Sequence, residues 1–123
     1  MKHPTKALLK KREKRKLKKE FKSKLSKCKN KIIERDNYHC QKCNKDLSSQ
    51  MKHVHHIVSL QSVKRMHPEL LEDTLNGILL CSYCHKFAPD SPHQGGFEFV
   101  EFFKNKFPDR YEYLINKLKS KKF

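Results

Sequence analysis

The sequence predicts an α+β fold: a small β-β-α core, with a long basic helix before it and further helices after it. Three observations predict this. Four of the five cysteines form two pairs of one spacing, Cys40-x-x-Cys43 and Cys81-x-x-Cys84, separated by 37 residues. Two short apolar runs, HVHHIVSL and ILL, lie between the pairs and have the length of strands rather than helices. Charge is divided unevenly: residues 1–31 hold 15 Lys/Arg against only Glu13 and Glu20, whereas residues 32–123 hold 14 Lys/Arg against 11 Asp/Glu. The formal +16 is therefore an arm on a nearly balanced body. Hydrophobic residues make up only 36% of the chain, so something besides apolar burial must help to hold the body together.

Residues 5–36 read as one long helix. Leu17, Phe21, Leu25, Cys28 and Ile32 recur at spacings of four and three, a narrow apolar stripe on a basic rod. Cys28 fits that stripe as a small apolar residue. The part before Leu17 has no stripe and is expected to be mobile without a partner. Asp36-Asn37 ends the helix, because Asn tolerates a left-handed cap. Tyr38 to Leu47 carries the first knuckle, and residues 53–60 read as a strand. Pro68 opens a short helix through Asp73. Asn76-Gly77 is a turn signal, and Ile78 to Leu80 is a short buried strand. Ser82 to Phe87 is a short helix stopped by Pro89. Pro89, Pro92 and Gly95-Gly96 mark a loop. Phe97 to Phe107 forms a helix ended by Pro108. Asp109 to Lys119 forms a last one, burying Tyr111, Leu114, Ile115 and Leu118. The middle order is strand, turn, strand, helix.

Paired CxxC units at this separation suit a four-thiolate zinc site better than a disulfide framework, so Cys40, Cys43, Cys81 and Cys84 are the expected zinc ligands. Such a site can contribute on the order of 10 kcal/mol to folding. His55 and His56 are adjacent, and in a strand they face opposite ways. One can reach a metal while the other stays free to take a proton. His85, directly after Cys84, is held by the knuckle and can supply a second nitrogen. Two ligands with open coordination positions suit a catalytic metal, and a neutral imidazole is a suitable base near pH 7.

The runs RDNYHCQKC, VHHIVSL and LNGILLCSYCHK together resemble the zinc-stapled HNH endonucleases, which have a ββα-metal core. The resemblance covers roughly residues 33–88. It implies that His56 is the general base, that Asn76 fixes the turn and hence the base, and that His85 binds the catalytic divalent cation. His55 stands where these enzymes commonly carry a metal-binding Asp; a histidine pair occurs there in toxin nucleases of the colicin type. Imidazole ligands favour Mn2+, Ni2+, Co2+ or Zn2+ over Mg2+. Pro89 stands where some members place another histidine; His93 could substitute from the following loop, although a surface histidine is the expected reading. The implied reaction is metal-assisted hydrolysis of a DNA phosphodiester.

The basic arm fits a polyanion. Lys10, Lys11, Arg12, Lys14 and Arg15, with Arg35 and Lys86, are candidate DNA contacts, and Lys64 and Arg65 are weaker ones. His39, His53 and His67 are expected to be exposed or structural. The expected division is an arm (1–31), a nuclease core (32–90) and a C-terminal helical extension (91–123). No apolar run is long enough to span a membrane, and no signal-peptide pattern is seen, so a reducing, cytoplasmic setting is expected, in a bacterial cell or a phage-infected host. Phage and mobile-element origins are common for such chains. With one site per chain, a monomer would nick and a weak dimer could cut both strands. The rival reading is a non-catalytic zinc-ribbon protein that binds nucleic acid; a weaker one is a basic protein of RNA or membrane surfaces.

Overall fold

The computed structural model describes residues 5–120. Residues 1–4 of the arm and 121–123 of the C-terminal extension lie outside the described residues. Helix α1 spans Lys6–Arg35 and starts on Thr5, whose side chain accepts the amide of Leu8. Its buried positions are Cys28 and Ile32, at the C-terminal end of the expected stripe. Leu17, at the other end, is exposed. Helix begins eleven residues before Leu17, through a stretch exposed on every side. The end is abrupt: Asn37 and Tyr38 both take left-handed backbone, with φ of 54° and 58°.

That reversal turns the chain back along the sheet. Strands β1 (His53–His56) and β2 (Gly77–Leu80) pair antiparallel, with His55 opposite Ile78 and His56 opposite Gly77. The outer edge of β2 is occupied as well. The buried carboxylate of Asp36 accepts the amide of Leu79, and the carbonyl of Leu79 accepts the amide of Gln41. Two single hydrogen bonds thus fasten the end of α1 and the first knuckle to the strand that leads into the second knuckle. Gly77 has no side chain because α1 lies so close: a Cβ there would stand 2.3 Å from Cδ1 of Ile32.

The link between the strands is longer than the expected turn. It carries helix α2 (Leu60–Met66), capped by Ser59, and two single 3-10 turns, Pro68–Leu70 and Thr74–Asn76. The strand reading of residues 53–60 is therefore corrected. Pairing stops at His56 because Asn76 takes over: its carbonyl accepts the amide of Ile57, and its side chain bonds Val58. The core's own helix is one π-type turn, Tyr83–Phe87, closed by the Ala88 amide on the Tyr83 carbonyl.

Helices α3 (Gly96–Lys106) and α4 (Pro108–Lys119) then close over the sheet. Phe99, Phe103 and Leu114 share one apolar core with Val58, Val63, Leu70 and Ile78 to Leu80. Leu118, expected on the buried side, lies exposed where α4 runs past the core. Tyr113 donates to the carboxylate of Asp73, which ties α4 to the Thr74 turn.

Candidate active site

The four paired cysteines converge, and their sulfurs all lie within 4.8 Å of one another. None is in a disulfide. A zinc–thiolate tetrahedron with bonds of about 2.3 Å has edges of about 3.8 Å, and Sγ of Cys43 stands 3.8 Å from Sγ of Cys81. Burial pushes the Cys40 thiol up, but the amides of Cys43, Cys81 and Lys42 outweigh it and bring it down to about 7. Burial and neighbouring Cys81 push Cys84 far up instead. Four such groups so close cannot all ionise without a cation between them, so both the donor chemistry and the spacing fit zinc. A zinc ion there would staple the ββα core at the point where both knuckles meet β2.

The histidines divide by face. His53 and His55 alternate onto the side of the π-type turn, while Val54 and His56 turn toward α1. Val54 approaches Ile32 across Gly77. On the first face, His55, His85 and His93 each offer a nitrogen, all within 4.8 Å of one another. Nε2 of His85 and Nε2 of His93 are 3.2 Å apart. Two nitrogens bound to one cation at about 2.1 Å stand about 3.0–3.4 Å apart, so the pair is spaced for a shared ion.

His93 is at the surface, as expected, and is also the loop histidine that comes close to His85. It is exposed, yet its ring is turned onto His85 at a centroid distance of 4.6 Å. Its loop is built for this. Ser91, fully buried, receives the amide of Gly95 on its carbonyl and that of Gln94 on its hydroxyl. A Cβ at Gly95 would stand 2.3 Å from the Pro89 carbonyl, so this turn admits only glycine. Lys42 pairs with Asp90 and binds the loop to the first knuckle. The edge of Phe99 meets His55 at 5.1 Å and 86°, so α3 sets that ring from outside.

His55, His56 and His85 are neutral near pH 7. Burial, followed by His85, His56 and His93, pushes His55 down to about 3. Burial, then His93, His53 and Lys86, takes His85 down to about 4. His56 is pushed down to about 4 by burial and then Lys29 of α1. Its Nε2 is buried and has no hydrogen-bond partner among the described residues. Neutral rings are the form that binds a cation or accepts a proton.

Asn76 is fully buried and holds Val58 from both sides, accepting its amide at 2.7 Å and donating to its carbonyl at 3.0 Å. It thereby fixes the chain two residues beyond His56. Arg35 has another occupation than the phosphate contact considered for it. Its guanidinium makes four hydrogen bonds, to both oxygens of Asp36 and to the carbonyls of Thr74 and Gly77. Lys86 is exposed beside the histidine cluster, and Lys10, Lys11, Arg12, Lys14 and Arg15 are exposed along α1. His67 is buried, as a structural histidine would be. His53 is neither exposed nor isolated: Nδ1 lies 3.1 Å from Nδ1 of His85, and Nε2 lies 3.0 Å from the Ser82 hydroxyl.

Among the described residues no helix is long and apolar enough to cross a membrane. No curated protein and no solved structure matches the chain. Residues 40–88, from the first cysteine through both strands to just past the π-type turn, match the family model of the HNH endonucleases.

Proposed function

We propose that this chain is a metal-dependent DNA endonuclease, with zinc on Cys40, Cys43, Cys81 and Cys84 as the staple. A catalytic divalent cation would sit on His55, His85 and His93. The observation that carries this reading is the three-histidine cluster beside the staple. Three nitrogens from one side leave the remaining coordination positions open to substrate and water, which a closed structural site does not. A cation held there supplies Lewis-acid polarisation of the phosphoryl oxygens and stabilises the leaving oxygen. Nitrogen donors favour Mn2+, Ni2+ or Zn2+ over Mg2+.

His56 is the proposed general base. It takes a proton from the water whose oxygen attacks phosphorus as the ester P–O bond breaks. His56 and His55 lie on opposite faces, but β1 pairs only with β2, so its other edge is open among the described residues. A phosphate at that open edge can be approached by His55 from one face and His56 from the other. Asn76 acts by positioning, through its hold on Val58. Lys86 and the arm residues Lys10, Lys11, Arg12, Lys14 and Arg15 would contact phosphates and add salt-sensitive affinity. A monomer with one such site would nick.

Purified protein incubated with supercoiled plasmid and Mn2+, Ni2+ or Mg2+ tests this. Nicking is expected, and His56→Ala should slow it about 10²-fold or more. Nicking unchanged in His56→Ala removes that residue as base. DNA binding without cleavage under any of these metals favours the non-catalytic zinc-ribbon reading.

A further inference from the structure

We infer that His53 is a positioning residue for the catalytic cation: it holds His85 in the one tautomer that can bind metal. This rests on the reading of His55, His85 and His93 as the cation site. The argument starts with His85, whose two ring nitrogens both have close neighbours. Nε2 faces Nε2 of His93 at 3.2 Å, and Nδ1 faces Nδ1 of His53 at 3.1 Å. A neutral imidazole carries one proton, and the nitrogen that binds a cation must be bare. If Nε2 of His85 faces the cation, the proton sits on Nδ1 and donates to His53. Nδ1 of His53 is then the acceptor, so His53 carries its own proton on Nε2. That nitrogen lies 3.0 Å from the Ser82 hydroxyl, which accepts it. One proton arrangement therefore satisfies every contact in the row Ser82–His53–His85 and leaves the metal-facing nitrogen free.

The fold supplies both ends of this row from one place. Ser82 follows Cys81 and His85 follows Cys84, so the second knuckle fixes the two residues that His53 bridges. His53 enters from β1, two residues before His55 and on the same face, opposite Leu80 in the sheet. The zinc staple thus determines not only where His85 stands but, through Ser82 and His53, how its ring is turned. An outer hydrogen bond of this kind typically changes metal affinity by about 10- to 100-fold.

Calorimetric titration of Ni2+ into zinc-loaded protein reads this without any cleavage assay. Wild-type protein is expected to take up one Ni2+ beyond its zinc. His53→Ala should bind it about 10- to 100-fold more weakly, with zinc content and thermal midpoint held. His53→Asn, whose side-chain oxygen replaces the Nδ1 acceptor, should return affinity to near the wild-type value. Undiminished binding by His53→Ala overturns the inference and leaves the cation site standing. Weak binding that His53→Asn does not restore overturns the hydrogen-bond role in favour of packing. Wild-type protein that takes up no Ni2+ overturns the cation site itself, and this inference with it.

Discussion

Asn76 performs with one side chain the pairing that β2 performs with its backbone, so β1 is held in line past its last laddered residue. Asn76→Ala would leave a buried amide and carbonyl of Val58 without partners, and should cost about 2–3 kcal/mol in urea unfolding. Gly95 is the second sensitive position. A methyl there cannot fit against the Pro89 carbonyl, so Gly95→Ala should shift the His93 loop and weaken cation binding in the same calorimetric titration, with zinc content unchanged. The buried histidines also set a pH dependence. His55, His56 and His85 titrate at about 3, 4 and 4 in the fold, against about 6.5 when unfolded. Between those values the unfolded chain binds more protons, so stability is full above about pH 6.5 and is lost as pH falls toward 4. Thermal midpoints should decline over that window, and His56→Gln should make the decline shallower. The convergence of the four cysteines was legible because paired CxxC spacing carries chemistry, whereas the roles expected of His56, Asn76 and His85 came from the resemblance to the HNH endonucleases. His93 was raised only as a candidate substitute, since seven residues of a Pro-containing loop separate it from His85 and carry no period. His53 left one usable signal, its place two residues from His55 on the same strand face.

Helix α1 poses the problem of a lysine-rich rod in water. No acidic side chain stands in its first turn, and like charges recur at four-residue steps, as in Lys10, Lys14, Lys18 and Lys22. What sustains it is propagation from the end packed on the sheet, where nucleation has already been achieved by Cys28 and Ile32. Lys64 of α2 over the Phe21 ring adds a contact further out. Screening or neutralising the lysines should therefore raise helix content. Circular dichroism at 222 nm should strengthen with added salt, and more with short duplex DNA; an unchanged signal with DNA would count against contact along this face. Its end at Asp36-Asn37 was readable from the cap, but the stripe starts only at Leu17 and gave no sign of the helix from Lys6 onward. Helix α2 was not. With seven residues and little more than Leu60 and Val63 to mark a period, LQSVKRM carries too little pattern to separate from the strand before it, and only Ser59 hints at a start.

At the scale of the molecule, the two candidate metal sites share the second knuckle, and the terminal helices share the core that the strands form. Zinc removal should therefore do more than loosen one corner. Chelation should lower the thermal midpoint sharply and abolish Ni2+ uptake at the histidines, because Ser82 and His85 lose their anchors together. Deleting residues 1–20 should act differently, since Cys28 and Ile32 remain. Zinc content should hold, while DNA affinity falls and its dependence on salt becomes less steep. The continuity of α1 has one further consequence. Thirty helical residues extend about 45 Å, and the far end is joined without a break to the strand beside the histidines. If this rod lies along a duplex, it is a measuring stick with the cut as its zero mark. It would cover about 13 base pairs on one side. Each two residues removed from its tip would shorten that protected stretch by about one base pair, while the cut itself stayed in place.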